Sequence, residues 1–222
     1  MTDKRTDGNA DMIMKSKDPL AWKEVSTETI VSDQWIDFRK TDYMFPDGRV
    51  IGPFYSYTRR DYAVIVATDE EGRYICVRQF RQGIKEVTTE FPAGGLEDSE
   101  SDAATAAAED ADDTDAATAE ARALAAAKRE LLEETGYESD EWTHLMTLPS
   151  SATISDNIAY IFKAENCRRV TGQSLDETEF LNATLLSAEE VEEMVMSGGF
   201  KQAMHVTAWL LANRTSVSRT DR

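Results

Sequence analysis

At 222 residues with 41% apolar content, the chain can bury a full core, and its length fits one domain with additions better than two complete ones. A formal charge of −18, from 42 acidic against 24 basic residues, opposes broad association with nucleic acid or an anionic lipid surface. No apolar run approaches the roughly 18 residues of a membrane helix, so a cytoplasmic protein with no membrane or nucleic-acid partner is expected.

Residues 20 to 58 alternate apolar and polar positions through Trp22, Val25, Ile30, Val31, Trp35 and Phe38, and Pro46-Asp47-Gly48 reads as a turn between strand-like runs. This predicts a β-rich N-terminal portion over residues 1–58. Tyr62 to Ala67 and Tyr74 to Phe80 flank Asp69-Glu70-Glu71-Gly72, the form of two strands joined by a tight turn. Cys76 and Cys167 each lie in an alternating apolar stretch and read as small buried residues, with a disulfide as the lesser alternative.

Glu97 to Glu120 holds ten acidic residues and no Lys or Arg, more than half of the net excess. Within it, residues 101–121 are rich in Ala, Asp and Thr and lack large apolar side chains, so a solvated excursion is expected there. Ala116 to Thr135 is rich in Ala, Leu, Glu, Lys and Arg, contains no Gly or Pro, and stops at Gly136, which predicts a helix. Further strands are expected at Ala159 to Ala164 and Phe180 to Leu186. Helices are expected at Ala188 to Met196 and Lys201 to Asn213, either side of Gly198-Gly199. A main domain over 59–213 and a flexible tail over 214–222 complete the predicted organisation.

On the central helix Glu130 stands three and four residues before Glu133 and Glu134, so the three carboxylates share one face, roughly 5 to 6 Å apart between Cβ atoms. At an effective dielectric near 20 each close pair costs about 3 kcal/mol, which calls for a raised pKa or a bound cation. Hard oxygen donors select Mg²⁺ or Mn²⁺, and His144 and His205 are too few and too scattered for an imidazole zinc site. Mg²⁺ held by one or two carboxylates commonly shares its shell with substrate phosphates, which points to phosphoryl chemistry. A merely solvated Glu-rich face is the competing reading of the spacing.

The string Arg129-Glu130-Leu131-Leu132-Glu133-Glu134-Thr135-Gly136-Tyr137 resembles the second half of the Nudix box, and Gly94 with Glu100 resembles its first half. The resemblance implies an α/β fold, the Nudix α/β/α sandwich with a mixed β-sheet, here with the β-rich N-terminal portion added. It implies that Glu130, Glu133 and Glu134 hold divalent metal, that Arg129 orients them, that Gly136 lets the helix end, and that the Ala93 carbonyl completes the shell. Residues 101 to 128 separate Glu100 from Arg129, far more than the family's box allows, so an insertion splits the motif. Loop length costs only about 0.6 kcal/mol per doubling, so the metal site can survive the excursion. Glu100, or else Glu120, then takes the remaining box position.

From about Trp22 to Asn213 the chain looks like the ADP-ribose and nucleotide-sugar pyrophosphatase branch of that family. Arg78-Gln79-Phe80-Arg81 resembles the strand end whose arginines meet the substrate diphosphate, and Glu90-Phe91-Pro92-Ala93-Gly94-Gly95 resembles the metal loop, with Glu90 on the substrate side. A guanidinium can clamp phosphate oxygens at two points, although Arg78 and Arg81 also read as plain strand-edge cations. Leu175 to Phe180 resembles the acidic loop that supplies a general base, either Glu177 or Glu179, against a solvated acidic turn. Ala152 and Asn157 depart from residues common in the branch. Members pair through the N-terminal portion as homodimers, where Trp35 is either a stacking platform for the base or a core tryptophan. The implied activity is Mg²⁺-dependent hydrolysis of the diphosphate of ADP-ribose or a related nucleoside diphosphate sugar into two monophosphates. A triphosphate-sanitising hydrolase and a non-catalytic nucleotide sensor are the alternatives.

Overall fold

A computed structural model of the chain describes residues 18–97 and 114–214. These divide into two units, one of residues 18–59 with 152–156, the other of residues 60–97, 114–151 and 157–214. The first is an antiparallel sheet of β1 (Lys23–Ser32), β2 (Asp37–Met44) and β3 (Val50–Thr58) in that order. Its strands are joined where polar turn chemistry occurs. Asp33 Oδ1 accepts the N–H groups of Trp35 and Ile36 at 2.7 and 3.0 Å, and Gly48 takes φ +86° after β2. Trp35 is 68% exposed on the first of these turns, which overturns the core-tryptophan alternative.

The second unit holds β4 (Tyr62–Asp69), β5 (Tyr74–Arg81), β6 (Glu86–Glu90), β7 (Ala93–Gly95), β8 (Tyr137–Glu138), β9 (Glu141–Pro149), β10 (Ile158–Arg169) and β11 (Leu181–Leu186). The main path runs β11-β5-β4-β10-β8, with β6 on β5, β7 on β4 and β9 on β10. β4 and β10 run parallel and the other pairs antiparallel, so the sheet is mixed. β4 is apolar on both faces because both are covered. Ala63, Ile65 and Ala67 meet Ala123, Ala127 and Leu131 of α1 (Thr114–Thr135), while Val64 and Val66 meet Val191 of α2 (Ala188–Met196) and Ala208 of α3 (Ala203–Ala212). This is the expected α/β/α sandwich.

Helix α1 begins at Thr114 rather than Ala116, so 114–121 belongs to the helix and not to an excursion. Ala is the strongest helix former, and Ala119 already packs on the core. Residues 101–113 lie outside the described residues. Ala123, Ala127 and Leu131 recur every four residues and form the stripe buried on the sheet. The next stripe, Ala126, Glu130 and Glu134, is thereby carried into a buried position as well. β9 escaped sequence reading because it is an outer strand mixing Thr, His and Glu among its apolar residues.

Among the described residues, no helix is long and apolar enough to cross a membrane. Cys76 lies against the α2 and α3 face and Cys167 against the α1 face, both buried and unpaired. Burial pushes their thiols up to about 12 and about 11 respectively. Neither should react with a thiol reagent at pH 8 in the native protein, and both should react once it is unfolded in guanidinium. One fast-reacting thiol before unfolding would contradict this packing.

Candidate functional site

Helix α1 crosses the short strand β7, and the contact is permitted by a missing side chain. A Cβ on Gly94 would lie 1.9 Å from both Cδ and Oε1 of Glu130, so glycine there is the condition for Glu130 to occupy its place. One turn on, Glu134 Oε2 accepts the Ala93 N–H at 3.0 Å. The loop and the helix thus hold one another through the two carboxylates, which are 6% and 2% exposed.

One carboxylate oxygen from each of Glu130, Glu134 and Glu179 lies within 4.8 Å of the others. Glu179 arrives from the loop before β11. There its Oε2 accepts the Asp176 N–H at 3.1 Å, and its own N–H donates to the Asp176 carbonyl at 3.0 Å. Glu177 is exposed and stands outside the cluster, so of the two loop carboxylates the structure brings only Glu179 to the helix.

Glu133 is 41% exposed on its side chain and is reached through Arg129. Arg129 Nη1 meets Glu133 Oε2 at 2.9 Å and Glu130 Oε1 at 3.0 Å, while its Nη2 donates to the Gly95 carbonyl at 3.0 Å. One guanidinium therefore fixes two carboxylates and the loop. Glu120 lies ten residues before Glu130, roughly 15 Å along the helix, and pairs with His144 Nδ1 at 3.0 Å. It stands outside the cluster of Glu130, Glu134 and Glu179, and Glu100 lies outside the described residues.

Burial raises the Glu130 carboxyl to about 7 against the lowering influence of Arg129, with Glu179 and Glu133 adding to the rise. Burial raises Glu134 well above its ordinary value, Glu130 and Glu179 add to that, and the Ala93 N–H and Arg81 offset only part. Two or three carboxylates enclosed with too few cations around them are the donor set that a hard divalent cation fits.

Arg81, at the end of β5, is committed to Glu90. Its Nε donates to Glu90 Oε1 at 2.9 Å and its Nη2 to Oε2, while Thr88 Oγ1 also donates to Oε1. Burial opposes ionisation of Glu90, yet these donors hold its carboxyl below the usual range. Glu90 is wholly enclosed, so it supports Arg81 from behind rather than facing a ligand itself. Arg78 is exposed on β5 and makes no ion pair among the described residues.

Sequence reading missed Thr88, Gln202 and His205 around Glu90. Gln202 Nε2 donates to Glu90 Oε1 at 3.4 Å, and His205 Nδ1 accepts the Phe91 N–H at 3.1 Å. Burial lowers His205 to about 4, so the ring is neutral and works as a hydrogen-bonding brace for the loop. His205 lies 114 positions from Phe91, and no local pattern signals the pairing.

No protein-family model matches the chain. A Bacillus subtilis (strain 168) protein named ADP-ribose pyrophosphatase is 30% identical over 179 residues, spanning 80% of this chain and 85% of its own. A Bacillus methanolicus protein named methanol dehydrogenase activator is 26% identical over 175 residues, spanning 78% and 82% respectively. Among solved structures, one described as an ADP compounds hydrolase superposes with TM-score 0.65 at 19% identity, covering 89% of this chain and 95% of that one.

Without metal, Glu130 and Glu134 hold protons more tightly folded than unfolded, so the stability they contribute is present at low pH. For Glu130 it is lost as pH rises from its ordinary 4.5 through about 7. In EDTA, Glu130→Gln should nearly match the native protein in Tm at pH 5 and exceed it by about 5 °C at pH 8. Mg²⁺ should close that gap by raising the native protein alone. Scanning fluorimetry showing no gap at pH 8 would contradict the buried-charge account.

Proposed function

The chain belongs to the Nudix hydrolase family, whose enzymes hydrolyse nucleotides, and on that premise we propose that it cleaves the diphosphate of ADP-ribose or a related nucleoside diphosphate sugar. The observation that carries this reading is the enclosed cluster of Glu130, Glu134 and Glu179 with Arg81 close enough to offset part of its charge. The name of the Bacillus subtilis relative supports the choice of sugar nucleotide.

In this proposal Glu130, Glu133 and Glu134, with the Ala93 carbonyl and Glu100, hold Mg²⁺, or Mn²⁺ in its place. When bound, the ion supplies charge neutralisation at the diphosphate and lowers the pKa of a coordinated water. Arg129 keeps Glu130 and Glu133 aimed. Arg81, braced by Glu90, and the exposed Arg78 bind the phosphate oxygens. Glu179 takes the proton of the attacking water. The new oxygen–phosphorus bond forms as the bond from that phosphorus to the bridging oxygen breaks, leaving two monophosphates.

The exposed ring of Trp35 supports its assignment as a platform for the base. A homodimer through the N-terminal sheet is proposed on the exposure of β1 along its whole length and of Val25, Ile30, Val31 and Val50.

A phosphatase-coupled assay over ADP-ribose, nucleotide sugars, dinucleotides and triphosphates with Mg²⁺ and Mn²⁺ tests the function. Turnover should be greatest on a diphosphate-linked sugar, and Glu134→Gln should reduce it by at least roughly 100-fold. Preferred turnover of triphosphates would overturn the substrate assignment. Ligand-dependent thermal stabilisation with no turnover on any member would overturn catalysis.

A further inference from the structure

The C-terminal end of α1 has an electrostatic problem. The last carbonyls of a helix lack intrahelical partners and carry partial negative charge, which basic residues in the last turn commonly offset. Here the last turn has no basic residue and instead contains Glu133 and Glu134. The missing donors come from the chain between β10 and β11. Ser174 N–H donates to the Glu133 carbonyl at 2.9 Å, and Gln173 Nε2 donates to the Glu134 carbonyl at 2.6 Å.

Gly136 makes room for this docking. It sits at φ +76°, and a Cβ there would lie 2.3 Å from the Thr171 carbonyl oxygen, a backbone atom that cannot swing aside. The Gly136 carbonyl accepts from Val170 N–H at 2.9 Å and from Thr171 N–H at 3.3 Å. The docked segment therefore starts at the helix end, and five residues beyond Ser174 it presents Glu179.

We infer that Gln173, with Ser174, is the positioning element for Glu179, because it ties the loop bearing that carboxylate to the backbone of the residues adjoining Glu130 on the same helix. The inference rests on Glu179 being the general base proposed above. At its other end the loop enters β11, whose pairing with β5 begins at Leu181 and Gln79. The carboxylate thus hangs between a strand register and a helix cap, with the Asp176 backbone gripping it in between. Gln173 also lines a cavity of about 290 Å³ with Thr135, Tyr137, Arg169 and Thr184. Since that side is open, the hydrogen bond rather than packing holds the side chain in place.

The test uses the full chain with ADP-ribose and Mg²⁺, comparing Gln173→Met, Glu179→Gln and the double variant. Methionine keeps the length of the side chain and removes its donor. Gln173→Met should lower kcat roughly 10- to 100-fold with KM changed less than about threefold, since a small misplacement of a reacting group is costly. Its Tm should stay within about 2 °C of native, a surface-type effect. In the Glu179→Gln background the same substitution should change kcat less than about twofold, because its only route of action is already removed. Hydrogen exchange should quicken over 171–180 and stay unchanged over the first half of α1. Full kcat in Gln173→Met, or losses that multiply in the double variant, overturns the positioning role while leaving the base intact. Full kcat in Glu179→Gln removes the base assignment itself and the inference with it.

Discussion

The rest of the structure depends on the burial of two carboxylates of like charge, Glu130 and Glu134, against a loop whose glycine lets them in. An enclosed carboxylate normally finds a cation or gives up its charge. Among the described residues only one of the two has a direct ion pair, Glu130 with Arg129, and both carboxyl groups are pushed upward. The helix accepts this because the apolar stripe of Ala123, Ala127 and Leu131 must face the sheet, and the carboxylate stripe lies beside it. Hydrophobic burial of the first stripe, worth about 0.8 kcal/mol per buried methylene, offsets the electrostatic cost of the second.

Glu90 shows the opposite solution a short distance away. It is equally buried, but Arg81, Thr88 and Gln202 all donate to it, and its carboxyl is held low. One carboxylate is neutralised from within the protein, and its role is to stiffen Arg81. The helix pair is left with a deficit of positive charge, which a hard divalent cation can fill while keeping coordination positions for phosphate oxygens. The contrast separates a carboxylate satisfied within the protein from a pair left short of positive charge.

Much of this was legible in the amino-acid order, and what was not has a common cause. The i, i+4 spacing put Glu130 and Glu134 on one helix face because a helix has a fixed period, whereas Glu133 ends outside their cluster and is tied to Glu130 through Arg129. β4 and β5 were legible from apolar runs bounded by a polar turn. The choice between Glu177 and Glu179 was not, since an irregular loop has no period. Nor was the enclosure of Glu90, which depends on His205 and Gln202 more than a hundred positions away. The cap supplied by Gln173 and Ser174 is hidden for the same reason, because its acceptors are backbone carbonyls that carry no residue identity. Trp35 was half legible: its aromaticity was plain, but its exposure follows from a turn at Asp33 that leaves the ring outside.

The most direct measurement is a calorimetric titration of Mg²⁺ into the metal-free protein, repeated in two buffers of different ionisation enthalpy from pH 6 to pH 8.5. If these raised carboxyls await a cation, binding must displace protons, and the share that comes from Glu130 must decline as pH climbs past about 7. The Glu130→Gln, Glu134→Gln double variant should bind weakly and release none. Tight binding without proton release at any pH, or binding undiminished in the double variant, would contradict the account.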